Sequence, residues 1–147
     1  MSLIHRAHAR RIDAIVAALH LSEVRAEAAL ASATVRTTDP GEVVVQQGGA
    51  ADALYVITQG RFEVDVVGAS GATRSVRMLG PGRCFGEIGV VEQTLRTATV
   101  IARTDGEVLA FSADAARAIL AEDPYASHAV AVDAYERHEQ VYRAARS

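Results

Sequence analysis

The spacing of apolar residues changes twice along the chain and divides it into three segments. In the first segment, up to about residue 31, the apolar residues recur at the i, i+3, i+4, i+7 spacing of an amphipathic helix. They are Ile12, Ile15, Val16 and Leu19. Because Ser22 and Glu23 can cap and begin a new helix after Leu21, the pattern predicts two helices between Leu3 and about Ala31.

Between Thr34 and Ser112 the helical spacing gives way to short apolar runs separated by turn residues. Phe62, Val64 and Val66 alternate with charged residues, which is typical of a strand with one buried face. The predicted strands are TVRTT (34–38), VVVQ (43–46), ALYVITQ (53–59), RFEVDVV (61–67), TRSVRML (73–79), TATVIA (97–102) and EVLAFS (107–112). Roughly eight short strands with frequent turns predict an antiparallel, jelly-roll-like β-roll.

Helical spacing returns after the last predicted strand. The apolar residues that restore it are Ala115, Ala118, Ile119 and Leu120, and Pro124 can open a final helix. The predicted fold is therefore mainly β with flanking helices: N-terminal helices in residues 1–33, an eight-stranded β-roll in 34–112, and C-terminal helices in 113–147. A chain of 147 residues is expected to form one domain.

Composition limits the classes of partner. The formal charge of −3, with 22% charged residues, provides no broad basic face, so direct nucleic-acid binding is not expected. No run of apolar residues reaches the about 18 needed to span a bilayer, so membrane contact is not expected either. The single cysteine, Cys84, excludes an intramolecular disulfide, suits a reducing cytoplasm, and is predicted to be a small core residue.

The candidate chemistry lies in the stretch FGEIGVVEQTLRTATV, residues 85–100, where Glu87 and Arg96 stand in otherwise apolar sequence. In an extended strand the two residues would be roughly 30 Å apart, so a shared small ligand requires the segment to fold back, which Gly86 and Gly89 permit. A helical turn beginning near Gly86 would direct backbone N–H groups at an anion, and Arg96 would add a guanidinium fork. Glu87, which only accepts hydrogen bonds when ionised, would bind hydroxyl groups. Together these groups predict a sugar phosphate ligand, and we expect the Arg96 side chain to be largely shielded and to lack partners when no anion is bound.

The same stretch resembles, without a gap, the phosphate-binding cassette of the cyclic nucleotide-binding domains of catabolite activator proteins, protein kinase A regulatory subunits and cyclic-nucleotide-gated channels. Further similarities cover nearly all of residues 34–112. They include Pro40-Gly41-Glu42-Val43, Gly48 before Asp52, Leu54-Tyr55-Val56-Ile57, Gly60 with Glu63-Val64, and Gly80. The resemblance implies that Arg96 pairs with the cyclic phosphate, that Glu87 accepts the ribose 2′-hydroxyl, and that the amides near Gly86 and Ile88 complete the phosphate site.

The resemblance also implies roles for residues outside the two charged positions. Thr97 occupies a position where a hydroxyl can contact the phosphate or the guanine amino group. The candidates for a lid that stacks on the base are three tyrosines of the C-terminal helices, for which packing between helices is the alternative role: Tyr125, Tyr135 and Tyr142. Leu95 replaces the proline, and Gly89 the alanine, that many members carry; neither change removes a ligand group.

We therefore expect a non-catalytic cyclic nucleotide sensor that signals by movement of its C-terminal helices. The expected ligand is cAMP, with cGMP admissible, and no metal or cofactor is expected. One alternative is an interaction domain that has lost the ligand. The other is a cupin-like enzyme, which needs clustered metal ligands, whereas residues 21–127 contain no histidine.

The effector lies outside the predicted sensor elements. Since 35 residues after Ser112 are too few for a winged-helix DNA-binding domain, we expect the effector on a partner protein or elsewhere in a longer protein. The sequence leaves a homodimer open.

Overall fold

A computed structural model describes residues 2–86 and 95–147, which form four helices and eight strands. The helices are α1 (Leu3–Leu19), α2 (Glu23–Leu30), α3 (Ala113–Ala121) and α4 (Pro124–Ala145). The strands are β1 (Thr34–Thr38), β2 (Val43–Val45), β3 (Ala53–Gln59), β4 (Phe62–Val67), β5 (Thr73–Leu79), β6 (Cys84–Phe85), β7 (Thr99–Ala102) and β8 (Gly106–Ser112). The predicted order of helices, β-roll and helices is confirmed.

Side-chain caps explain where the predicted helices begin. The Ser22 hydroxyl accepts a hydrogen bond from the backbone N–H of Arg25 at 3.2 Å, which confirms the predicted break between α1 and α2. Asp123 caps α4 in the same way by accepting from the N–H of Ala126 at 3.1 Å. Pro124 follows at the first helical position, where its fixed φ suits the helix and no N–H is needed.

The strands form two antiparallel four-stranded sheets. Their orders are β1-β8-β3-β6 in the first and β2-β7-β4-β5 in the second. Strand β6 was missed by the sequence analysis because two residues are too few to show alternation. It exists through pairing with β3, in which Tyr55 lies opposite Phe85 and Val56 opposite Cys84. Cys84 is buried, as predicted.

Two hydrophobic cores result, and α4 contributes to both. The first core packs the helices against the outer face of the first sheet and includes Ile15, Phe111 and, from α4, Val130. The second fills the interior of the roll and includes Phe62 and, from the last part of α4, Val141. A displacement of α4 therefore affects the packing of the helices and the interior of the roll together. In the part of the chain that the structure describes, no helix is both long and apolar enough to cross a membrane.

A buried ion pair ties α1 to the roll. Arg11 on α1 donates to Glu107 on β8 through Nη2 at 2.6 Å and through Nε at 3.2 Å, and the Thr58 hydroxyl donates to the same carboxylate. Burial raises the pKa of Glu107, but the hydrogen bonds from Arg11 and Thr58 outweigh it, so this pKa lies below its usual range. Because the carboxylate is buried and fully engaged, α1 is firmly anchored to the first sheet.

On β4, a half-buried carboxyl group predicts a pH effect on stability. Burial, and then the neighbouring Glu63, raise the pKa of Asp65 to about 6 from 3.8. The folded state thus binds this proton more tightly than the unfolded state, and the stabilisation present below about pH 4 is lost as pH rises through about 6. We expect Asp65→Asn to remove this loss of stability at higher pH. Relative to wild type, its free energy of unfolding should rise by about 1–2 kcal/mol between pH 4 and 7, after allowance for partial exposure.

Urea unfolding at several pH values measures this difference. The exposed Asp105, replaced by Asn, is the matched control, and its stability difference from wild type should not vary with pH. If the stability difference between Asp65→Asn and wild type also did not vary with pH, the raised pKa assigned to Asp65 would be contradicted.

Candidate functional site

Arg96 is held at the centre of the candidate site by backbone and side-chain hydrogen bonds. Its backbone N–H donates to the carbonyl of Gly49 and its carbonyl accepts from the N–H of Gly48, each at 2.8 Å. Its Nη2 donates to the carbonyl of Ala53 at 2.6 Å, and its Nη1 donates to the carbonyl of Gly86 at 3.0 Å. Only 6% of the residue is exposed. The guanidinium is therefore fixed in place by Ala53, the first residue of β3, and by Gly86, the residue that follows β6.

The expectation that Arg96 is shielded is confirmed, but the expectation that it lacks partners without an anion is wrong. The reason is tertiary, because Gly86 and Ala53 offer carbonyl oxygens that no pattern in the sequence assigns to Arg96. These acceptors are neutral, and the only carboxylate on the guanidinium among the described residues is that of Asp52, at 3.4 Å with 79% of its side chain exposed. Within the described ranges, the buried positive charge therefore has no buried counter-charge.

The guanidinium retains donors for a ligand. An arginine side chain has five N–H donors. Three are engaged with Gly86, Ala53 and Asp52, and no other residue of the described part of the chain accepts from the Nε–H or the second Nη1–H. Because the contact with the exposed Asp52 is long, an anionic ligand can displace it at little cost. The arrangement is suited to binding one anionic group by a preoriented cation.

Gly86 is required by this arrangement for two reasons. Its φ is +83°, a left-handed conformation that side chains disfavour. A Cβ atom at this position would also overlap the Arg96 guanidinium and lie 2.8 Å from the carbonyl oxygen of Ala53. Close approach to Arg96 therefore requires glycine at position 86, while the predicted role of its amide in binding the phosphate stays a prediction.

A cavity opens beside Arg96 in the interior of the roll. Its volume is about 60 Å³, and Thr97, Gly86 and Arg96 line it together with apolar side chains of both sheets. The apolar lining residues are Val45, Val64, Leu79, Phe85, Ala98 and Val100. The Thr97 hydroxyl has no hydrogen-bond partner among residues 2–86 and 95–147. Arg96 at one end and apolar side chains along the wall match the anionic and apolar parts of a nucleotide, but ligand pockets are typically about 300–1,000 Å³, so a nucleotide enters only if the walls move apart.

Helix α4 contributes to the cavity through residues that the sequence analysis did not single out. Arg137 and Val141 line it, and the Arg137 Nη1 donates to the backbone carbonyl of Cys84 at 3.3 Å. Val130, Ala134 and Val141 lie on the buried stripe of α4, and Arg137 falls within that stripe. A charged residue inside an apolar stripe was the signal that could have identified it.

The three candidate lid tyrosines are not brought to the cavity. Tyr125 is 77% exposed, Tyr135 is 70% exposed, and Tyr142 is 51% exposed, and none is among the described residues that line the cavity. Tyr142 instead stacks with His138 and lies under the Arg146 guanidinium. Helical geometry places Arg137 and Val141, four residues apart, on the inner face and turns the tyrosines outward.

Two further predicted contacts, Glu87 and Ile88, lie outside the described residues, so their roles stay predictions. Among the residues that are described, no group of three or more His, Cys, Asp or Glu side chains is placed to hold a metal ion. His8, which the sequence places near His5 at helical spacing, pairs instead with Glu27 at 2.8 Å.

Comparison with protein families and solved structures gives a consistent result. A family model described as a cyclic nucleotide-binding domain matches residues 35–132. The crystal structure of the Thermus thermophilus catabolite activator protein superposes with a TM-score of 0.74 at 27% identity, covering 82% of this chain and 56% of that one. The N-terminal domain of a transcriptional regulator from Streptomyces coelicolor superposes with a TM-score of 0.66 at 26% identity, covering 94% of this chain and 96% of that one.

The similar segment occurs in two relatives of different kinds. An uncharacterized ABC transporter ATP-binding protein of Mycobacterium tuberculosis is 40% identical over 77 residues, which are 52% of this chain and 23% of that protein. The cyclic AMP receptor protein of Thermus thermophilus is 30% identical over 91 residues, which are 62% of this chain and 42% of that protein. The chain therefore spans less than half the length of either relative.

Proposed function

The chain belongs to the cyclic nucleotide-binding domain family, whose domains are regulatory rather than catalytic, and we propose that it binds cAMP in the cavity beside Arg96. The observation that carries the proposal is the buried Arg96 guanidinium, which faces neutral carbonyls and one exposed carboxylate. A cyclic phosphate supplies a negative charge that no buried side chain among the described residues provides, and the apolar walls, once they move apart, enclose the base. Glu87 accepts the ribose 2′-hydroxyl, and the amides near Gly86 and Ile88 complete the phosphate site.

The proposed choice of cAMP over cGMP is supported by the name of one relative, the cyclic AMP receptor protein. The unpartnered hydroxyl of Thr97 at the cavity keeps cGMP admissible. The protein itself is proposed to be non-catalytic, and α4 to carry the signal, because α4 contributes Val141 to the roll interior and Val130 to the helical core. The effector is proposed to be a further domain or a partner protein, because the matched residues are only 23% of the ATP-binding protein and 42% of the receptor.

Calorimetric titration with cAMP, cGMP and non-cyclic AMP tests the ligand assignment. We expect saturable binding of the cyclic nucleotides and much weaker binding of AMP, with the cyclic nucleotide recovered unchanged. Absence of cyclic nucleotide binding at millimolar concentration would refute the proposed function, and conversion of the nucleotide would refute the non-catalytic assignment.

Replacement of Glu87 by Gln tests the proposed ribose contact. The variant preserves shape but exchanges a charge-assisted hydrogen bond for a neutral one, so we expect a loss of about 1–2 kcal/mol, or roughly 5- to 30-fold in Kd. Titration with 2′-deoxy-cAMP is the control, because wild type and variant should bind this analogue almost equally. A loss that persists in full with the analogue would show that Glu87 does not act through the 2′-hydroxyl.

Replacement of Thr97 by Ala tests base selectivity. If the hydroxyl bonds the guanine amino group, the ratio of cGMP to cAMP affinity must shift towards cAMP by up to about tenfold, the value of one neutral hydrogen bond. Thr97→Ser, which keeps the hydroxyl, should retain the wild-type ratio. Equal losses for both nucleotides would assign Thr97 to the phosphate alone.

A further inference from the structure

The residue that caps the C-terminal end of α1, His20, has an unusual backbone conformation. His20 has φ 57° and ψ 32°, and it is the one non-glycine residue with positive φ in the described ranges 2–86 and 95–147. Glycine is the usual residue at such a helix end because it has no Cβ to strain the left-handed conformation. A strained histidine in its place suggests that its side chain has a use.

The histidine side chain reaches across to α4. Its Nε2 donates to Asp133 Oδ2 at 2.7 Å, and 34% of each side chain is exposed. No other carboxylate among the described residues lies within 4.0 Å of this imidazole. The contact joins residues separated by 113 positions in the sequence. This contact connects the end of α1 directly to α4. Helix α1 is itself anchored to the first sheet through Arg11.

The same carboxylate oxygen is also near the arginine that lines the ligand cavity. Arg137 lies one helical turn after Asp133, and its Nη2 is 4.0 Å from Asp133 Oδ2. The side chain of Arg137 is 11% exposed, and its Nη1 contacts the Cys84 carbonyl at the cavity wall. Three side chains therefore form a continuous path from the end of α1 to the cavity.

We propose that His20 and Asp133 form a clasp that positions Arg137 and the adjoining turn of α4 at the ligand cavity, so that α1 is coupled to ligand binding. This inference rests on the proposed function of the cavity. Asp133 and His20 are positioning residues, since neither lines the cavity. Coupling of this kind is reciprocal: a change at α1 that opens the clasp lowers ligand affinity, and bound ligand holds α1 and α4 together.

A double-mutant cycle in ligand affinity tests the clasp. We expect His20→Gln and Asp133→Asn each to weaken cAMP binding about 2- to 5-fold, as suits an interaction between half-exposed groups. The double variant should bind no more weakly than Asp133→Asn alone, because both substitutions weaken the same contact between His20 and Asp133. Additive losses, or unchanged affinity in Asp133→Asn, would overturn the proposal.

His8→Gln is the matched control. His8 is also on α1 and also bonds a carboxylate, Glu27 Oε1, at 2.8 Å, but this pair joins α1 to α2 and leaves α4 untouched. The affinity of this variant should equal that of wild type. A loss as large as that of His20→Gln would mean that any disturbance of α1 lowers affinity and would overturn the proposal.

A second substitution at His20 separates positioning from stability. His20→Gly relieves the backbone strain, so it should melt at a higher temperature than His20→Gln, yet it should lose affinity to the same extent because it also lacks the imidazole. If the loss of affinity followed melting temperature instead, His20 would have a structural role only, which contradicts the inference.

A ligand-free measurement keeps the clasp distinguishable from the proposed function. If wild type fails to bind any cyclic nucleotide, the proposed function fails, and amide hydrogen exchange across residues 133–141 then decides about the clasp. His20→Gln and Asp133→Asn should both exchange faster there than wild type and His8→Gln. Identical exchange in all four proteins would overturn the clasp itself.

Discussion

Replacement of Arg96 by Ala should weaken cAMP binding by roughly 30-fold to several-thousand-fold. The guanidinium is buried and oriented before any ligand arrives, so its loss removes a charge-assisted contact in a shielded site, at a cost of about 2–5 kcal/mol. Isothermal titration of wild type and variant at the same salt concentration measures the effect. An unchanged Kd would refute the assignment of Arg96 to the phosphate.

The same substitution should also lower stability, which the sequence alone does not predict. Arg96 satisfies the carbonyl groups of Ala53 and Gly86, and leaving buried acceptors without donors costs about 1–3 kcal/mol each unless water replaces the arginine. Thermal unfolding therefore has to accompany the titration. Arg96→Lys keeps the charge but not the planar fork, so it should recover part of the affinity.

Arg103→Ala is the matched control for loss of a cation. Arg103 pairs with Glu63 at 2.9 Å, 44% of its side chain is exposed, and it does not line the cavity. We expect the cAMP affinity of this variant to lie within about twofold of wild type, because exposed pairs contribute little. A large loss for both variants would point to net charge rather than to a specific phosphate contact.

Replacement of Gly86 by Ala should have the second-largest effect, with about 10-fold or greater loss of affinity and a destabilisation of about 1–3 kcal/mol. The left-handed conformation at Gly86 accounts for about 1–2 kcal/mol of the destabilisation. The affinity loss has a separate cause, because the new Cβ would overlap the Arg96 guanidinium and force it away from its position in the cavity. Titration and thermal unfolding measure the two effects.

Gly71→Ala separates backbone strain from displacement of the arginine. Gly71 has φ +85°, close to the +83° of Gly86, but a Cβ there would meet no atom within 4 Å. This control should be destabilised by strain alone and should bind cAMP normally. If both alanine variants lost affinity equally, the close approach of Gly86 to Arg96 would not be the cause.

The sequence by itself determined the elements and the candidate ligand groups. Alternation in Phe62-Glu63-Val64-Asp65-Val66 is short-range information that the segment carries alone, and so are the helix starts at Ser22 and Pro124. Arg96 and Gly86 could be identified in the same way, because a charged residue and a glycine stand out within one short, mostly apolar stretch. The alternation predicted this strand correctly because the order of buried and exposed positions in a strand follows from the residues of that strand.

Only the tertiary structure decided what these groups contact. Arg96 reaches the carbonyl of Ala53 across 43 positions, Arg137 reaches that of Cys84 across 53, and His20 reaches Asp133 across 113. The two-residue strand β6 was missed for the same reason, and the lid role of a C-terminal tyrosine stays a prediction. A local pattern indicates whether a side chain is buried. Which residue it contacts depends on how the helices and sheets pack, and that packing depends on the whole chain.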